Sequence, residues 1–396
     1  MAFVRHRMRT LSALFGSVAL IAAFTVLGAG PAAADTPGVL RVGCGHHSYK
    51  TIGAAVSAAT SGDTIVVCPG TYREDVMVSK TLSIVGIGRP VIDATGQFNG
   101  VQILASGSSI QGFTVKNAIG EGILVGLQKA PVSDVTIRGN TVKHNDRGNP
   151  TGAQIGNSNY PQCNAANNIP GDCGEGIHLA NAFDSTVVGN TVFDNSGGVL
   201  LSDDTGPTYG NVIKFNNIFR NVLDCGITLA GHVPAAFGGV HDNTILGNRV
   251  IGNGIHGQGG GVLLATGVPV TPAGPGGAVY DNLVQGNYLA GNGLGGVTLH
   301  SHAPGENLNG NTVTGNAIGT NNVDPDHDFG PPFDDGQTTG VIAIAASSVT
   351  ITIKHNVIFN NVNGIWLAQV GAATVTAIDA TSNLFIRVAH PVVTVP

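Results

Sequence analysis

The sequence predicts an all-β solenoid in which short parallel strands wind into a β-helix, and three observations support this prediction. A pattern of asparagine, glycine and β-branched residues recurs between about residues 134 and 361. Helical periodicity is absent from this region, whereas short apolar stretches alternate between two faces with a period of two. Glycine reaches 59 of 396 residues and aromatic residues only 5%, so the core must use small and β-branched side chains.

The repeat unit reads x-V-x-G-N-x-V-x-x-N and precedes glycines and a short V-x-L strand such as GGVLLS. Its copies cover residues 135–145, 186–195, 212–221, 244–253, 283–292, 312–321 and 351–361. The first asparagines of successive copies lie between 26 and 50 residues apart, so most coils carry insertions. This variation excludes a propeller of even blades and a leucine-rich horseshoe, whereas a parallel β-helix accommodates insertions at its turns.

Two asparagines stand five residues apart in every copy, as Asn140/Asn145, Asn190/Asn195, Asn216/Asn221, Asn248/Asn253, Asn287/Asn292, Asn316/Asn321 and Asn356/Asn361. A weaker third column precedes them at Asn211, Asn243, Asn282 and Asn311. An inward-pointing asparagine at a bend can bond the equivalent side chain one coil away, and its backbone tolerates left-handed dihedral angles. We therefore expect asparagine ladders that fix the register of the coils.

The first 34 residues have the pattern of a secretory signal peptide. Three arginines precede an apolar run over residues 11–27, and three alanines stand directly before Asp35. A retained membrane helix is the alternative, but the run is short and small residues follow it. We therefore expect cleavage of residues 1–34, a secreted protein, and no membrane span in the mature chain.

The mature chain, residues 35–396, is expected to form one β-helix domain. Residues 51–60 are amphipathic and predict a helix within an amino-terminal cap over residues 35–75. Alternating apolar runs predict a carboxy-terminal cap over residues 372–396. Both caps would shield strand edges at the ends of the solenoid.

Five cysteines in an exported protein should be mostly paired, with one left over. Cys163 and Cys173 enclose a short loop and form one expected bridge, and Cys44 with Cys68 could form another. Cys225 adjoins an apolar strand and is expected to be a buried thiol.

The charge balance excludes an electrostatic nucleic-acid binder, since 18 basic residues face 24 acidic ones. A polyanionic partner would need a local basic patch or a bridging cation.

Residues 49–93 also carry a resemblance to a known fold family. They contain the helix-forming run TIGAAVSAAT, the strand GDTIVV and the turn PGTYRE. This segment resembles the opening of right-handed parallel β-helix proteins of the pectin-lyase-like superfamily. The asparagine-rich coils are similar to NosD-like repeats and to those of actinobacterial secreted proteins. The resemblance implies a right-handed parallel β-helix and a polysaccharide partner, but no single reaction, because the superfamily holds lyases, hydrolases, esterases, epimerases and proteins without a known reaction.

Most active-site motifs of this superfamily are missing. The sequence lacks the Q-D-T of pectin methylesterases and the R-x-P-x-x-R of pectate lyases. Asp203-Asp204 and Gly231-His232 are similar to parts of the polygalacturonase motifs D-D and G-H-G, but N-T-D and R-I-K are absent.

The candidate catalytic residues follow the V-x-L strands. Asp204, His232 and His302 each stand three residues past the last leucine of a strand, and adjacent coils lie about 4.8 Å apart. We therefore expect Asp203, Asp204 and His232 to form a site for acid-base chemistry, assisted by His300 and His302. The alternative is that these polar residues only cap turns.

The candidate substrate-binding residues lie on other coils. His241 and Asp242 are expected in a loop that folds over the same turn. Trp366 should point outward, either to stack on a sugar ring or to pack under the carboxy-terminal tail. Glu175 and His178 occupy comparable positions on an earlier coil.

Calcium is the one cofactor that the sequence suggests. The candidate ligands begin with a D-x-D-x-D pattern and comprise Asp324, Asp326, Asp328 and Asp335. Phe329 stands where a calcium loop requires glycine, so a solvated acidic loop remains the alternative.

The functional prediction is therefore a secreted protein that binds or processes polysaccharide as a glycan lyase or hydrolase. Its alternative is a non-catalytic cell-surface or extracellular protein in which the coils form only a rigid rod.

Overall fold

Every strand of the described chain pairs in parallel with a strand one coil away. The computed structural model describes residues 38–145, 174–232, 238–256, 259–267, 276–325 and 336–395. Over these residues, strands β1 to β39 form four sheets, which we name A, B, C and D. A complete coil passes through A, B, C and D in that order, and all described residues lie in one compact unit.

Sheets A and B form two sides of the coil. Sheet A comprises β1 (Val39–Val42), β2 (Thr64–Val67), β5 (Ser83–Gly86), β8 (Ser109–Gln111), β12 (Thr136–Arg138), β16 (Thr186–Val188), β20 (Val212–Lys214), β24 (Thr244–Leu246), β28 (Leu283–Gln285), β31 (Thr312–Thr314), β34 (Val349–Lys354) and β37 (Val375–Ile378). Sheet B comprises β3 (Thr71–Tyr72), β6 (Val91–Asp93), β9 (Thr114–Lys116), β13 (Thr141–Lys143), β17 (Thr191–Phe193), β21 (Asn217–Phe219), β25 (Arg249–Ile251), β29 (Tyr288–Ala290), β32 (Ala317–Ile318), β35 (Val357–Phe359) and β38 (Leu384–Ile386).

Sheets C and D form the remaining sides and carry the candidate site. Sheet C comprises β4 (Val76–Val78), β7 (Val101–Ile103), β10 (Ile123–Gly126), β14 (Ile177–Ala180), β18 (Val199–Ser202), β22 (Ile227–Gly231), β26 (Val262–Thr266), β30 (Val297–His300), β33 (Thr339–Ala345), β36 (Asn363–Gln369) and β39 (His390–Val395). Sheet D is confined to the central coils and comprises β11 (Val132–Ser133), β15 (Ala182–Phe183), β19 (Thr208–Tyr209), β23 (Val240–His241) and β27 (Val279–Tyr280).

The core is a stack of inward-pointing aliphatic side chains. In sheet A, Ile137 pairs with Val187 and Val187 with Ile213, and all three are buried. Most three-residue strands of sheets A and B bury only their central residue. Sheet C differs, because strands such as β10, β14 and β18 are buried on both faces.

The predicted asparagine ladders are confirmed. Asn248 donates through Nδ2 to Asn287 Oδ1 at 3.0 Å and to the Ile213 carbonyl at 2.8 Å. Its own Oδ1 accepts from the backbone N–H and side-chain amide of Asn216. The same contacts recur from coil to coil, and Asn383 extends the column beyond Asn356. Each asparagine side chain therefore supplies a hydrogen-bond partner to buried backbone groups at the turn, which water cannot reach.

The amino-terminal region contains the predicted helix and a predicted disulfide. Helix α1 runs from Ile52 to Ala58, and the Glu74 carboxylate accepts the N–H groups of Ile52 and Gly53 at 2.8 Å. The Cys44–Cys68 bridge is formed. The expected Cys163–Cys173 bridge, and the signal peptide over residues 1–34, lie outside the described residues. No helix of the described chain is long and apolar enough to span a membrane.

The carboxy-terminal segment forms one more coil. Strands β37, β38 and β39 pair with β34, β35 and β36, and a short 3-10 helix, Ala380–Ser382, links β37 to β38. The segment expected as a cap therefore continues the parallel pairing of the solenoid.

Candidate functional site

Asp203, Asp204 and His232 meet where two strands of sheet C end. Ser202 pairs with Ala230 across β18 and β22, so Asp204 and His232 stand at equivalent positions on neighbouring coils. His232 Nδ1 lies 3.2 Å from Asp204 Oδ1 and 3.5 Å from Asp203 Oδ1. The predicted convergence of these three residues is therefore present in the structure.

The three residues differ in their access to solvent. Asp203 is fully buried, whereas the side chains of Asp204 and His232 are 23% and 12% exposed. The backbone N–H of His232 donates to Asp203 Oδ1 at 2.6 Å. Burial raises the pKa of the Asp203 carboxyl, although its hydrogen bonds to His232 oppose the shift. Asp203 therefore holds His232 in place from the buried side. Of these three residues, Asp204 and His232 are exposed enough to contact a ligand.

A chain of polar contacts leads inward from Asp204. Ser202 Oγ lies 2.6 Å from Asp204 Oδ2 and 2.7 Å from His178 Nε2. His178 Nδ1 in turn lies 3.2 Å from Oε1 of Glu121, on the preceding coil. Sequence reasoning missed Ser202 and Glu121. A signal was available for Glu121, because the run G-E-G-I occurs at residues 120–123 and again at 174–177.

Glu175 and His178 are not placed for substrate binding. Both side chains are buried, since each residue is only 1% exposed, so a sugar cannot reach them. His178 is outward-pointing on β14, as expected, but sheet C is shielded from solvent on both faces at this coil. This burial corrects the expectation that both residues contact the substrate.

His300 and His302 form a separate group with Glu306. Their rings lie 4.0 Å apart, and His302 Nδ1 donates to the Thr266 carbonyl at 2.5 Å. Thr266 Oγ1 and the His302 backbone N–H both donate to Glu306 Oε2, at 2.5 and 2.6 Å. This group lies at and after the end of β30, and β26 separates β30 from β22 in sheet C, so the expected assistance to His232 stays a prediction.

Burial shifts the pKa values of this second group. It lowers the pKa of His300 to about 3, with a further contribution from His302, and it also lowers the pKa of His302. Burial raises the pKa of Glu306. His300 and His302 are therefore neutral near pH 7.

Four aromatic rings stack along sheet D beside the site. The ring centroids are separated by 5.1 Å from Phe183 to Tyr209, 5.1 Å from Tyr209 to His241 and 4.7 Å from His241 to Tyr280. His241 thus lies in strand β23 and not in a loop over the turn, and its Nδ1 contacts Asp242 Oδ2 at 2.8 Å. We call these four rings the aromatic ladder.

A surface pocket of about 360 Å³ adjoins the first ring of the aromatic ladder. Its walls include the turn that directly follows Asp204, and its lining residues are Lys129, Pro131, Asn181, Phe183, Thr205, Gly206, Pro207 and Tyr209. Phe183 pairs with Ser133 on its other side, so within the described ranges that face of the ring has no stacked aromatic neighbour. The pocket therefore combines an apolar ring face with hydroxyl, amide and ammonium groups.

The remaining candidates lie elsewhere. Trp366 points outward as predicted but is 5% exposed, because it packs against Ile342 and Val393. This corrects the sugar-stacking interpretation and agrees with packing under the carboxy-terminal tail. Asp324 is buried, and its calcium-loop partners Asp326, Asp328 and Asp335 lie outside the described residues. Cys225 is a buried free thiol whose pKa burial raises well above its ordinary value.

Comparisons with known proteins agree with this geometry. The family model of the right-handed β-helix region matches residues 99–271. A pectate lyase, Pel9A, has a similar structure, with 18% identity, a TM-score of 0.50, and coverage of 88% of this chain and 80% of that one. The protein is a right-handed parallel β-helix of the pectin-lyase-like fold.

A second solved structure extends the comparison of this β-helix. A tailspike double mutant of E. coli bacteriophage HK620, in complex with a pentasaccharide, is 14% identical with a TM-score of 0.52. The alignment covers 88% of this β-helix but only 58% of the tailspike. No curated protein sequence matches the chain significantly. Identities this low establish the fold alone.

Proposed function

We propose that this protein is an exported β-helix that binds a polysaccharide in the pocket beside Phe183 and cleaves it at Asp204 and His232. The observation that carries the proposal is the 3.2 Å contact between these two partly exposed side chains. The turn that directly follows Asp204 forms part of the pocket wall. The similar structures are a pectate lyase and a tailspike bound to a pentasaccharide, which supports a glycan as the ligand class.

The pocket offers the contacts that a sugar ring needs. Pyranose C–H groups pack well against an aromatic face, and among the residues that the structure describes one face of Phe183 has no stacked aromatic neighbour. Thr205 and Lys129 supply polar groups at the same wall. Inner rings of the aromatic ladder cover one another, so they present their edges, including the Tyr209 hydroxyl. A glycan would therefore stack at Phe183 and run along these polar edges.

In the proposed hydrolysis, the His232 imidazole takes a proton from water as the water oxygen bonds to the anomeric carbon, and it gives that proton to the leaving oxygen as the glycosidic C–O bond breaks. His232 Nδ1 lies 3.2 Å from Asp204 Oδ1, so in the proposed mechanism Nδ1 faces the carboxylate and Nε2 is the nitrogen that takes up and returns a proton. The buried Asp203 holds the His232 backbone and fixes the ring in place. A carboxylate paired with an imidazole in this way increases the basicity of the outer nitrogen.

The local charge favours a neutral glycan. Asp203 and Asp204 directly precede the turn that lines the pocket, Asp242 follows His241 of the aromatic ladder, and among the described lining residues Lys129 is the one basic side chain. A dense row of uronates would meet like charges here. We therefore expect hydrolysis of a neutral or weakly acidic polysaccharide in preference to elimination from a polyuronate.

The test is a panel of neutral and uronic-acid polysaccharides, incubated with residues 35–396. Reducing ends report cleavage of either kind, and absorbance of unsaturated products separates elimination from hydrolysis. We expect cleavage that His232→Gln and Asp204→Asn reduce by about 10²- to 10⁴-fold. The matched control is Asp194→Asn, which removes an exposed carboxylate paired with Arg220 on sheet B. Folded protein that neither binds nor cleaves any glycan would overturn the proposal and favour a structural rod.

A further inference from the structure

Glu121, Glu175 and His178 form a buried cluster behind the catalytic pair. One carboxylate oxygen of each glutamate and one imidazole nitrogen all lie within 4.8 Å of one another. No residue of the three is more than 1% exposed. Across the described residues, no other group of three such side chains has this proximity.

Strand register builds this cluster. Ile123 pairs with Ile177 across β10 and β14, which places Glu121 and Glu175 at equivalent positions on successive coils. Gly122 and Gly176 permit the close approach, since a Cβ on Gly122 would stand 2.5 Å from the Gly176 carbonyl oxygen. His178 follows Glu175 by three residues, as the second residue of β14.

Two carboxylates buried side by side need compensation. Buried charges in proteins are paired or coordinate a metal ion, because removal from water is costly. Glu121 is fully buried, and its Oε2 has no hydrogen-bond partner in the part of the chain that the structure describes. The Glu121 carboxylate therefore keeps one oxygen that can accept a bond from a cation.

The hydrogen bonds of Ser202 indicate which proton His178 carries. Ser202 has a single hydroxyl proton, and its 2.6 Å contact with Asp204 uses that proton. The 2.7 Å contact of Ser202 Oγ with His178 Nε2 then requires that Nε2 is the donor. In a neutral imidazole the lone pair therefore sits on Nδ1, which lies 3.2 Å from Glu121 Oε1. A lone pair and a carboxylate oxygen repel at this distance unless a proton or a metal ion lies between them, and a divalent ion would also balance the charge of the second glutamate.

We propose that Glu121, Glu175 and His178 bind a divalent transition-metal ion, with Zn²⁺ as the best match. The ligands are His178 Nδ1 and one carboxylate oxygen from each glutamate. Zinc accepts imidazole together with carboxylates, whereas calcium takes oxygen ligands alone. Two positive charges balance the two carboxylates, so the buried site becomes neutral overall.

The metal would also act on the catalytic pair without touching the substrate. The line from His178 to Ser202 to Asp204 connects the ion to the carboxylate that orients His232. A metal-bound imidazole is a stronger N–H donor, so Ser202 and Asp204 would be held more firmly. Glu121 and Glu175 are thus expected to act as positioning residues for the reaction.

The experiment measures zinc binding directly. Residues 35–396 are freed of metal with a chelator and titrated with Zn²⁺ by calorimetry, and Co²⁺ serves as a spectroscopic probe. We expect one ion per chain and visible Co²⁺ bands that report nitrogen ligation. Glu121→Gln and His178→Gln should each weaken binding by about 10- to 100-fold or more. The control is His144→Gln, which alters an exposed imidazole that lies 3.5 Å from Asp194.

Two outcomes would overturn the metal site. One is folded wild-type protein that binds neither Zn²⁺ nor Co²⁺, and the other is binding that Glu121→Gln and His178→Gln leave unchanged. Circular dichroism of each variant separates lost binding from lost folding, and the Co²⁺ spectrum of the wild type needs no variant. Glycan cleavage by metal-free protein would leave the proposed function intact, so the two proposals fail separately.

Discussion

His232 Nδ1 lies 3.2 Å from Asp204 Oδ1, and the two residues occupy the same position on successive coils. Strand β18 pairs with β22, so the turns that follow these two strands place the side chains of Asp204 and His232 next to each other. A parallel β-helix thereby brings together residues far apart in sequence by stacking alone. The buried Asp203 completes the arrangement by accepting the His232 N–H.

Replacement of Ser202 by alanine should impair turnover more than binding. The hydroxyl links Asp204 to His178, and loss of one hydrogen bond to a charged group is worth about 1.5–3 kcal/mol. We expect kcat to fall by about 10- to 100-fold, with KM nearly unchanged. Steady-state kinetics with the cleaved glycan check this split. An equal rise in KM without a fall in kcat would place Ser202 in substrate binding instead.

Replacement of Phe183 by alanine should weaken glycan affinity. Loss of an aromatic stacking partner is worth about 0.5–1.5 kcal/mol, so Kd should rise by about 2- to 12-fold. Phe219→Ala is the matched control, because Phe219 stacks on Phe193 at 4.9 Å in sheet B, whereas Phe183 belongs to sheet D. Calorimetric titration with oligosaccharide separates the two variants. Equal affinity losses in both would argue against the pocket.

His300 should make the protein sensitive to acid. Its pKa is lowered to about 3 in the folded state, whereas an unfolded chain has the ordinary value of 6.5. The unfolded state thus binds more protons between these values, so stability is complete above pH 6.5 and is lost as the pH falls toward 3. The free energy of unfolding should fall by at most about 1.4 kcal/mol per pH unit from this residue.

Urea unfolding of the wild type and His300→Leu at several pH values checks this effect. The leucine variant should lose less stability between pH 6.5 and 4 than the wild type. Asn309→Ala is the control, because it removes an exposed side chain that does not titrate and should leave the pH dependence of stability unchanged. Parallel pH profiles for wild type and His300→Leu would contradict the assignment.

Removal of one asparagine from the ladder should destabilise the solenoid. Asn248→Ala leaves the Asn216 N–H and the Ile213 carbonyl without their buried partners. Each unsatisfied buried group costs about 1–3 kcal/mol, so the loss should be about 2–5 kcal/mol. Asn217→Ala is the control, since Asn217 makes only an exposed contact with Arg249. Thermal unfolding should separate the two variants clearly, and similar melting temperatures would contradict a structural role for the ladder.

The sequence repeat was sufficient to predict the coils, because the chemistry that fixes them is local. Each asparagine bonds to its equivalent in the next coil, so the spacing of Asn248 and Asn287 already reflects the structure. The same alignment predicted that Asp204 and His232 would be neighbours. Burial was harder to predict. Trp366 and His178 point outward as expected, yet both are covered, and strand alternation carries no information about what lies over a sheet.

Contacts between residues outside the asparagine repeat were missed because the sequence alone does not give the register of their strands. Glu121 and His178 are 57 residues apart and do not belong to the asparagine repeat. Only the register of β10 and β14 shows that they meet. Ser202 ends an apolar strand and resembles an ordinary turn residue, so its two contacts could not be read from the sequence.

The most direct test of the account compares two carboxylate variants on a glycan that the wild type cleaves. The measurement is kcat/KM for Asp204→Asn and for Asp194→Asn, with folding of both confirmed by circular dichroism. We predict a loss of about 10²-fold or more for Asp204→Asn and nearly wild-type activity for Asp194→Asn. Wild-type activity in Asp204→Asn, or equal losses in both variants, would contradict a catalytic site at the end of sheet C.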